Sequence, residues 1–570
     1  MRNRAPASNP RGRAAWSGEG RDFAANRGRP LSLCGLEEPR RLGGIWVLPL
    51  LFLLGLTPGC GGRGPAPDLV IINGKEPESL DPAVMSGEAE GRIVQALFEG
   101  LTRYNPTNGM AEPGLAESWT LSENGRRYRF RLRSEARWSN GEPIRTKDVL
   151  YSWFRMIDPV EGSQYSSPFY LIRNAEAYQT GTVKSRAEVG MKASDELNLE
   201  VELENPAPYF VELCAYAPMA VVPQQSIERH RSAWLTQGQP PASGAYTLVE
   251  WRLNDRVRLR KNPHYWDAAG VKSTLIDLLP VTHPTTALNL YLSGQADVIW
   301  DKDLIPSDLV ETLRKRPDFH SFDYLATYFL RFNTTRKPFH DPRVRRALAL
   351  AIDKRRIVEQ ITRGGERPAG HLVPPGLPGY VSPPGLSVDP DRARALLAEA
   401  GFPGGAGFPK FHYHFDSRKS QENIAVQIQA MWEKELGLRA ELRPQEWQVY
   451  LNTQSQLDYD ISRSSWIGDY NDPTTFLDLF AGGNLNNRTG WKHEKYDTLL
   501  KRAGAEPAGP ARAELLRQAE TLLVEQEMPV VPLYFYAGMQ IHDPRRIEGI
   551  HPNLRAEHPL RAVARRGARR

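Results

Sequence analysis

Three side chains that together could hold a zwitterionic ligand lie within one short stretch of the sequence, residues 463–473. They are the guanidinium of Arg463, the indole of Trp466 and the carboxylate of Asp469, and a phenol follows at Tyr470. A guanidinium binds a carboxylate through charge-assisted hydrogen bonds, and a carboxylate binds an ammonium in the same way. The stretch therefore has groups suited to both ends of a ligand that carries both charges.

The pattern around these residues predicts a strand, a turn and a helix in succession. Apolar and polar residues alternate up to Arg463, which predicts a strand that ends near Trp466. Gly468 and the Asn-Asp-Pro run at 471–473 mark a turn, and residues 474–477 begin a helix. Open α/β folds bind ligands at the ends of their strands, so these polar groups are well placed for binding.

A purely structural interpretation fits the same residues when spacing alone is considered. Asp469 could cap a turn, because Asp and Asn are ordinary turn residues. Arg463 could pair with Asp458 or Asp460 in solvent. Spacing does not decide between this interpretation and a binding site.

The stretch resembles the ligand-contacting segment of the periplasmic oligopeptide-binding proteins, which are substrate-binding subunits of ABC importers (bacterial extracellular solute-binding proteins, family 5). The resemblance extends over roughly residues 68–560, as far as sequence phrases can be followed. It is carried by Ser-Leu-Asp-Pro at 79–82, by residues 93–101, and by Tyr-Phe-Leu-Arg-Phe-Asn at 328–333 followed by residues 338–345.

The resemblance implies a set of peptide-binding positions and no catalytic ones. Asp469 would hold the peptide ammonium, Trp447 and Trp466 would line side-chain pockets, and Arg463 would face the carboxylate end of one peptide length class. Tyr165 would lie against the bound peptide. The implied positions are Asp469, Arg463, Trp466, Trp447, Tyr165, Gly87 and Glu88.

The sequence departs from the family at several of its ligand-contacting positions. Where other members carry an acid, a lysine, a histidine and an arginine, this chain has uncharged residues, so several carboxylate anchors specific to one peptide length are missing. The disulfide that links two domains in some members is also missing. The departures are Ser86, Thr362, Gln421 and Gln454, with Ala326 and Ile467 at the two cysteine positions.

Helical and strand patterns alternate along the chain, which predicts the α/β class. The resemblance implies a two-lobed periplasmic-binding-protein-like fold (class II, three-domain peptide-binding type) that closes by hinge motion. We predict lobe 1 from residues 68–100, 224–326 and 536–560, an additional domain at 101–223, and lobe 2 at 327–535. The remaining segments are an N-terminal extension and signal peptide at 1–59, a lipidated Cys and tether at 60–67, and a basic tail at 561–570.

Several local patterns predict individual elements. Arginines alternate with Tyr128, Phe130 and Leu132, which predicts a strand with one solvated face. We expect Gly100 to end a helix over 93–101 and Thr146 to cap the next one. We also expect a helix after Asp341-Pro342, a helix through Ile424 and Trp432 that stops at Gly437, and a strand at 438–442.

Composition and charge exclude a nucleic-acid partner. The chain has 570 residues, 40% apolar and 25% charged, with a net charge of +6. Nine arginines and four acidic residues precede Cys60, which leaves 64 basic and 63 acidic residues in the rest of the chain. The excess positive charge therefore belongs to the N-terminal extension, and the body is nearly neutral.

The N-terminus predicts export. Arg40 and Arg41 precede an apolar run at 45–56, which has the length of a signal-peptide core and is too short to span a bilayer comfortably. Leu-Thr-Pro-Gly-Cys at 56–60 resembles a lipobox, with plain cleavage or a free thiol as alternatives. Loss of Cys34 and acylation of Cys60 would leave Cys214 alone, so we predict no disulfide and a buried, inert thiol.

The search for an enzyme constellation finds little. Phosphate loops, nucleophile turns and His-Glu-x-x-His motifs are missing from the sequence. His412, His414 and His493 could bind a metal, but surface histidines explain them better. We therefore predict no catalytic residue, no metal and no cofactor.

We predict a monomeric substrate-binding lipoprotein in the periplasm or cell envelope. Its partners would be an oligopeptide ligand, the ABC permease and ATPase subunits, and the membrane through its lipid anchor. A receptor for a murein peptide, a dipeptide, a nickel complex or haem is the alternative among binding proteins, and a secreted enzyme is the alternative from another class.

Replacement of the lipobox cysteine tests the predicted anchor. In a Cys60→Ser variant there is no thiol to acylate, so we expect the protein to move from the membrane to the soluble fraction. Fractionation with acyl-chain labelling measures this. Unchanged membrane retention of the variant, together with an unlabelled native protein, would contradict the lipoprotein assignment.

Overall fold

The structure is a computed structural model that describes residues 65–85, 87–160, 163, 165–237, 239–484 and 486–567. The predicted signal peptide, Cys60 and Ser86 lie outside the described residues. Within the part that is described, no helix has both the length and the apolar character needed to cross a membrane.

Strands occur along the whole described chain, and the longest are β12 and β17. In chain order they are β1 (Leu69–Gly74), β2 (Thr102–Tyr104), β3 (Ala111–Pro113), β4 (Ala116–Leu121), β5 (Arg127–Leu132), β6 (Met191–Ala193), β7 (Asn198–Glu202), β8 (Tyr246–Arg252), β9 (Arg256–Lys261), β10 (Leu275–Pro280), β11 (Val298–Ile299), β12 (Phe319–Phe332), β13 (Arg367–Pro368), β14 (His412–Asp416), β15 (Glu441–Gln445), β16 (Ile461–Ile467), β17 (Val530–Ile541), β18 (Ile547–Glu548) and β19 (Ala564–Arg565).

Helices alternate with these strands, as the sequence predicts for the α/β class. In chain order they are α1 (Glu88–Leu97), α2 (Thr146–Met156), α3 (Ala175–Gln179), α4 (Phe210–Leu213), α5 (Gln224–His230), α6 (Pro284–Leu292), α7 (Val310–Leu313), α8 (Pro342–Leu350), α9 (Lys354–Arg356), α10 (Pro390–Glu399), α11 (Lys419–Leu436), α12 (Trp447–Ser455), α13 (Thr474–Leu477), α14 (Glu494–Ala505) and α15 (Pro510–Thr521).

One mixed sheet runs through the described body in the order β15-β14-β16-β12-β17-β11-β1-β10-β9-β8, with β13 paired to β17. A separate antiparallel sheet, β4-β5-β7-β6, and the hairpin β2-β3 are built from residues 102–202. Parallel pairs such as β1–β10 and β14–β16 need crossover connections, which the helices supply.

The hydrophobic residues gather into separate cores. One core is drawn from residues 101–221, which fall within the range predicted for the additional domain. A second combines residues 69–98, 217–300 and 547–563, which bring together three distant parts of the chain. Two further cores are drawn from residues 325–534. We keep the names lobe 1, additional domain and lobe 2 for the residue ranges given above.

Strands β12 and β17 connect the two lobes. Phe319 at the start of β12 pairs with Ile541 at the end of β17, on the lobe 1 side. Arg331 near the end of β12 pairs with Val530 at the start of β17, on the lobe 2 side. The register between them shifts at Asp323/Thr327. Such irregularities break the ladder locally and bend the strand, so this shift lies where the lobes would hinge.

Several local predictions agree with the structure. The residues of β5 alternate between exposed and buried, with Tyr128, Phe130 and Leu132 inside. Asp341 caps α8 by accepting from the Arg343 backbone N–H, and Gly437 ends α11 in the left-handed conformation. Cys214 is fully buried, and burial raises the pKa of its thiol well above the usual range.

Three element boundaries differ from the sequence prediction. Helix α1 begins at Glu88 and ends at Leu97, so Gly100 does not end it; a Cβ at Gly100 would lie 2.0 Å from the Cys214 carbonyl oxygen, and this tertiary contact requires the glycine. Thr146 is the first helical residue of α2, and its hydroxyl donates to the Asp195 carbonyl. The strand expected at 438–442 is β15, which begins at Glu441.

The predicted basic tail differs from the structure over residues 561–567. Val563 is fully buried in the core of lobe 1, and its carbonyl accepts from the Ser273 hydroxyl at 2.8 Å. Arg565 donates twice to Asp297 at 2.8 Å. Apolar Val563 and Ala564 are spaced among arginines that pair with acids elsewhere in the fold, so the segment packs against residues of lobe 1.

Three histidines lie close together where β12 and β17 meet lobe 1. The rings of His320 and His542 stack with centroids 4.1 Å apart, and His558 lies 5.3 Å from the Trp300 ring. Burial first, and neighbouring histidines second, lower the pKa of both His542 and His558 to about 3. Both rings are therefore neutral in the folded protein.

These histidines predict a loss of stability in mild acid. The unfolded chain binds a proton at each histidine below its ordinary pKa of about 6.5, and the folded protein does not until about pH 3. Between pH 7.5 and 5.5 the free energy of unfolding should fall by about 1.4 kcal/mol for each of the two residues. A His558→Phe variant should lose about 1.4 kcal/mol less than the native protein over this range.

Denaturant unfolding at both pH values measures this difference. The matched control is His264→Gln, which changes an exposed histidine. An identical pH dependence in the native protein and in the His558→Phe variant would contradict a neutral, buried His558.

Candidate functional site

A cleft follows the β12–β17 crossing and consists of three neighbouring cavities. Their volumes are about 700, 170 and 230 Å³, and all three are lined by Tyr324 and Ile467. Tyr324 belongs to the irregular part of β12, and Ile467 ends β16. The two residues therefore mark the middle of one continuous groove.

The cavity of about 230 Å³ brings together four of the predicted binding residues. Asp469, Tyr165, Gly87 and Glu88 all line it. Glu88 is the first residue of α1, and its carboxylate accepts from the Tyr324 hydroxyl at 2.9 Å. Lobe 1, the additional domain and lobe 2 each contribute to this cavity.

A rigid turn presents Asp469 to the cavity. The Gly468 backbone N–H donates to the Leu325 carbonyl at 2.7 Å, and that of Asp469 donates to the Thr475 hydroxyl at 2.9 Å. A Cβ at Gly468 would lie 2.6 Å from a methyl carbon of Leu325, so a glycine is required there. The turn ends at Asp472, which binds Arg512 through both carboxylate oxygens at 2.7 and 2.8 Å.

The Asp469 carboxylate has no hydrogen-bond or ion-pair partner among the described residues, although it faces the cleft. Burial raises the pKa of this carboxyl, and the charge of Arg555 lowers it in part. Burial first, and the Asp469 charge second, also raise the pKa of the phenols of Tyr165 and Tyr216. The Asp469 side chain is exposed to the water of the cleft, and the protein around it disfavours its charge, so an added cation would stabilise the carboxylate.

Arg463 lies in the largest cavity and is buried. Its side chain is only 6% exposed and lies 3.6 Å from the carboxylate of Asp416, whose side chain is 3% exposed. The guanidinium also lies 5.1 Å from the centre of the Tyr328 ring. Its Nε has no hydrogen-bond partner among the described residues.

The surface pairing considered for Arg463 is wrong. Asp458 and Asp460 are instead bound by Arg336, at 2.7 and 3.2 Å. Asp416 is shared, because Arg418 also binds it. Two guanidinium groups with one carboxylate carry a net positive charge, which favours an anionic group in this part of the cleft.

The two tryptophans lie on different sides of the sheet. Trp447 begins α12, is 45% exposed and lines the largest cavity, where it stacks on Tyr450 with centroids 5.5 Å apart. Trp466 packs against the lobe 2 core on the opposite face of β16 from Arg463. Side chains alternate along a strand, so residues three apart face opposite ways.

Uncharged residues occupy the positions where the sequence departs from the family. Gln421 accepts from the Tyr328 hydroxyl at 2.8 Å, and Thr362 donates to Glu366 at 2.9 Å; both line the largest cavity. Gln454 donates to the Arg463 carbonyl at 2.7 Å and so supports β16. Ala326 and Ile467 are direct register partners across β12 and β16.

Sequence reasoning missed four residues that shape the cleft: Tyr216, Tyr324, Asp416 and Arg555. Asp416 is the last residue of β14, a strand that the sequence analysis did not predict, and Arg555 lies in a loop with no periodic pattern. Asp416 and Arg463, for example, are distant in sequence and meet only in the folded protein. Among the described residues, no three His, Cys, Asp or Glu side chains are grouped as a metal site.

Comparisons with known proteins agree on one family. A model described as bacterial extracellular solute-binding proteins, family 5 Middle, matches residues 111–488. The oligopeptide-binding protein OppA of Bacillus subtilis (strain 168) is 34% identical over 523 residues, which cover 88% of this chain and 95% of that protein.

Solved structures show the same fold. A periplasmic oligopeptide-binding protein (OppAIV) from Borrelia burgdorferi superposes with a TM-score of 0.75 at 31% identity, covering 88% of this chain and 100% of that one. The murein tripeptide-binding protein MppA of Escherichia coli superposes with a TM-score of 0.74 at 31% identity, covering 88% and 99%. The predicted two-lobed α/β fold is confirmed.

Removing the shared carboxylate of the arginine pair should destabilise lobe 2. In Asp416→Asn, the buried guanidinium of Arg463 loses its counter-charge, which typically costs about 3–5 kcal/mol. Asp391→Asn is the matched control, because Asp391 is 94% exposed and its ion pair should contribute about 0–1 kcal/mol. Denaturant unfolding at pH 7 compares the two variants, and equal losses would show that the Arg463–Asp416 pair is not a buried interaction.

Proposed function

This chain belongs to the bacterial extracellular solute-binding proteins of family 5, and from that premise we propose that it captures oligopeptides in its cleft and delivers them to an ABC permease. The carboxylate of Asp469 carries the proposal, because it faces the cleft and has no partner among the residues that the structure describes. An α-ammonium is present on every free peptide, so one fixed anion can hold peptides of many sequences.

The cleft suits a receptor that must not depend on side-chain identity. An extended peptide offers its backbone donors and acceptors to strand-like edges, and water and aromatic walls tolerate varied side chains. In the proposal, Asp469 binds the ammonium, Tyr165, Gly87 and Glu88 form the wall around it, and the ligand extends past Ile467 into the largest cavity.

The other end of the ligand would meet a positive charge. Arg463 and Arg418 share Asp416, so a peptide carboxylate near Arg463 would balance them. Trp447 lines the same cavity and would contact a side chain of the peptide. Trp466 is retained as a proposed ligand residue from the resemblance, although in this conformation it packs against the core.

Hinge motion, lipid attachment and the cellular setting complete the proposal. The three-domain boundaries predicted from the sequence would let lobe 2 move about the irregular part of β12. The protein would act as a monomer at the cell envelope, held by a lipid on Cys60. The cleft would bind and release peptides without catalysing their cleavage.

Replacing Asp469 by asparagine tests the ammonium site. The variant keeps the size of the side chain but leaves the cation of a bound peptide unpaired, so affinity should fall by about two to four decades. N-acetylated peptides should bind the native protein poorly. They should bind the variant almost as well as free peptides do, because the missing carboxylate can no longer distinguish the termini.

Calorimetric titration with free and N-acetylated trialanine and pentaalanine provides the measurement, with murein tripeptide as a further ligand. Asp458→Asn is the control, because that carboxylate is at the surface and pairs with Arg336. Additive effects of the mutation and the acetylation would refute the role of Asp469. Strong binding of murein tripeptide alone would favour the murein-peptide alternative.

A further inference from the structure

Two tyrosines from different parts of the chain stack on each other beside the Asp469 cavity. The rings of Tyr209, from the additional domain, and Tyr470, from lobe 2, have centroids 4.1 Å apart and planes that differ by only 5°. Tyr470 packs against the hydrophobic core of the additional domain. Tyr470, a residue of lobe 2, is therefore packed against the additional domain.

Polar contacts accompany the stack. The side-chain amide of Asn471 donates to the Glu212 carboxylate at 3.1 Å and lies 3.5 Å from the sulfur of Met110. Burial first, and the charges of Asp478 and Asp472 next, raise the pKa of the Tyr209 phenol. Tyr209 therefore reaches from the additional domain to acidic groups of lobe 2.

Each tyrosine is held firmly on its own side. Tyr470 belongs to the turn that follows Asp469, and this turn is fixed to lobe 2 through Gly468 and the Asp472–Arg512 pair. The Tyr209 carbonyl accepts the Leu213 N–H at 3.2 Å, at the start of α4. Because neither ring is on a free loop, the stack cannot persist when the additional domain and lobe 2 move apart.

We propose that the stack of Tyr209 on Tyr470 is a latch that holds the additional domain against lobe 2. While a ligand is bound, this latch keeps Tyr165 and the cavity wall around it next to Asp469. Tyr209 and Tyr470 are positioning residues, since neither lines the cavity that contains Asp469. Asp469 and Tyr470 are adjacent in one turn, so a ligand held between Asp469 and the additional domain also keeps Tyr470 beside Tyr209. The inference rests on the proposed peptide-binding function.

The latch sets the residence time of the ligand more than its capture. An open cleft admits ligand whether or not the rings can stack, but the closed form opens more easily without the stack. Removing one ring should raise the dissociation rate about tenfold and change the association rate by less than about threefold. Removing the second ring should add little, because the first change has already abolished the contact.

The test uses the full chain as Tyr209→Leu, Tyr470→Leu and the double variant. Trp119→Leu is the matched control: it removes an aromatic ring from the same additional-domain core, 6.3 Å from Phe130, without touching lobe 2. Stopped-flow measurement with free pentaalanine gives both rate constants. The control should match the native protein in both, which separates the latch from a general loss of packing.

Two outcomes overturn the proposal: unchanged dissociation in both single variants, or effects that add in the double variant. Small-angle scattering of the ligand-free proteins tests the latch without any peptide. The three latch variants should have the same radius of gyration as one another, and it should be larger than that of the native protein and of the control. If the native protein binds no peptide, the proposed function fails, and the latch is tested by scattering alone. Equal radii of gyration for the native protein and the latch variants would then refute the latch.

Discussion

The pairing of β12 with β17 is the interaction on which the architecture depends. These two antiparallel strands carry one sheet from lobe 1 into lobe 2, so hydrogen bonds rather than a loose linker join the lobes. The register shift at Asp323/Thr327 interrupts the ladder just where Tyr324 enters the cleft. The same strands thus hold the lobes together, allow them to bend and supply the floor of the binding groove.

The charged groups of the cleft are arranged so that a ligand, and not the protein, supplies their missing counter-charges. Structural acids are satisfied internally, as Asp472 is by Arg512. Asp469 is left without a partner among the described residues, and Asp416 is shared by Arg463 and Arg418. An unpaired anion at one end and an excess cation at the other are costly in a closed cleft, and a zwitterion relieves both.

Much of the fold could be predicted because local patterns agree with it. The alternation of arginines with apolar residues predicts β5. Asp341 marks the start of a helix as its capping residue, and Gly437 marks the end of one because it adopts the left-handed conformation. The turn that carries Asp469 was visible from Gly468 and Asp472-Pro473. The sequence could also have predicted which face of the sheet Trp466 occupies, because Trp466 lies three residues after Arg463 on the same strand.

Other features could not be predicted from local patterns, since they depend on contacts distant in sequence. Arg463 meets Asp416, 47 residues away, only when β14 and β16 pair. Gly100 is required by the backbone of Cys214, and the arginine-rich end of the chain is held by Val563 and by Asp297.

That last segment has a consequence for how the protein is made. Lobe 1 is assembled from three distant parts of the chain, and the Ser273 hydroxyl and the Asp297 carboxylate bind Val563 and Arg565 near residue 564. Residues 563–565 must therefore be synthesised before this lobe can complete its core. Until then, the early segments of this lobe lack part of the core against which they pack in the folded protein.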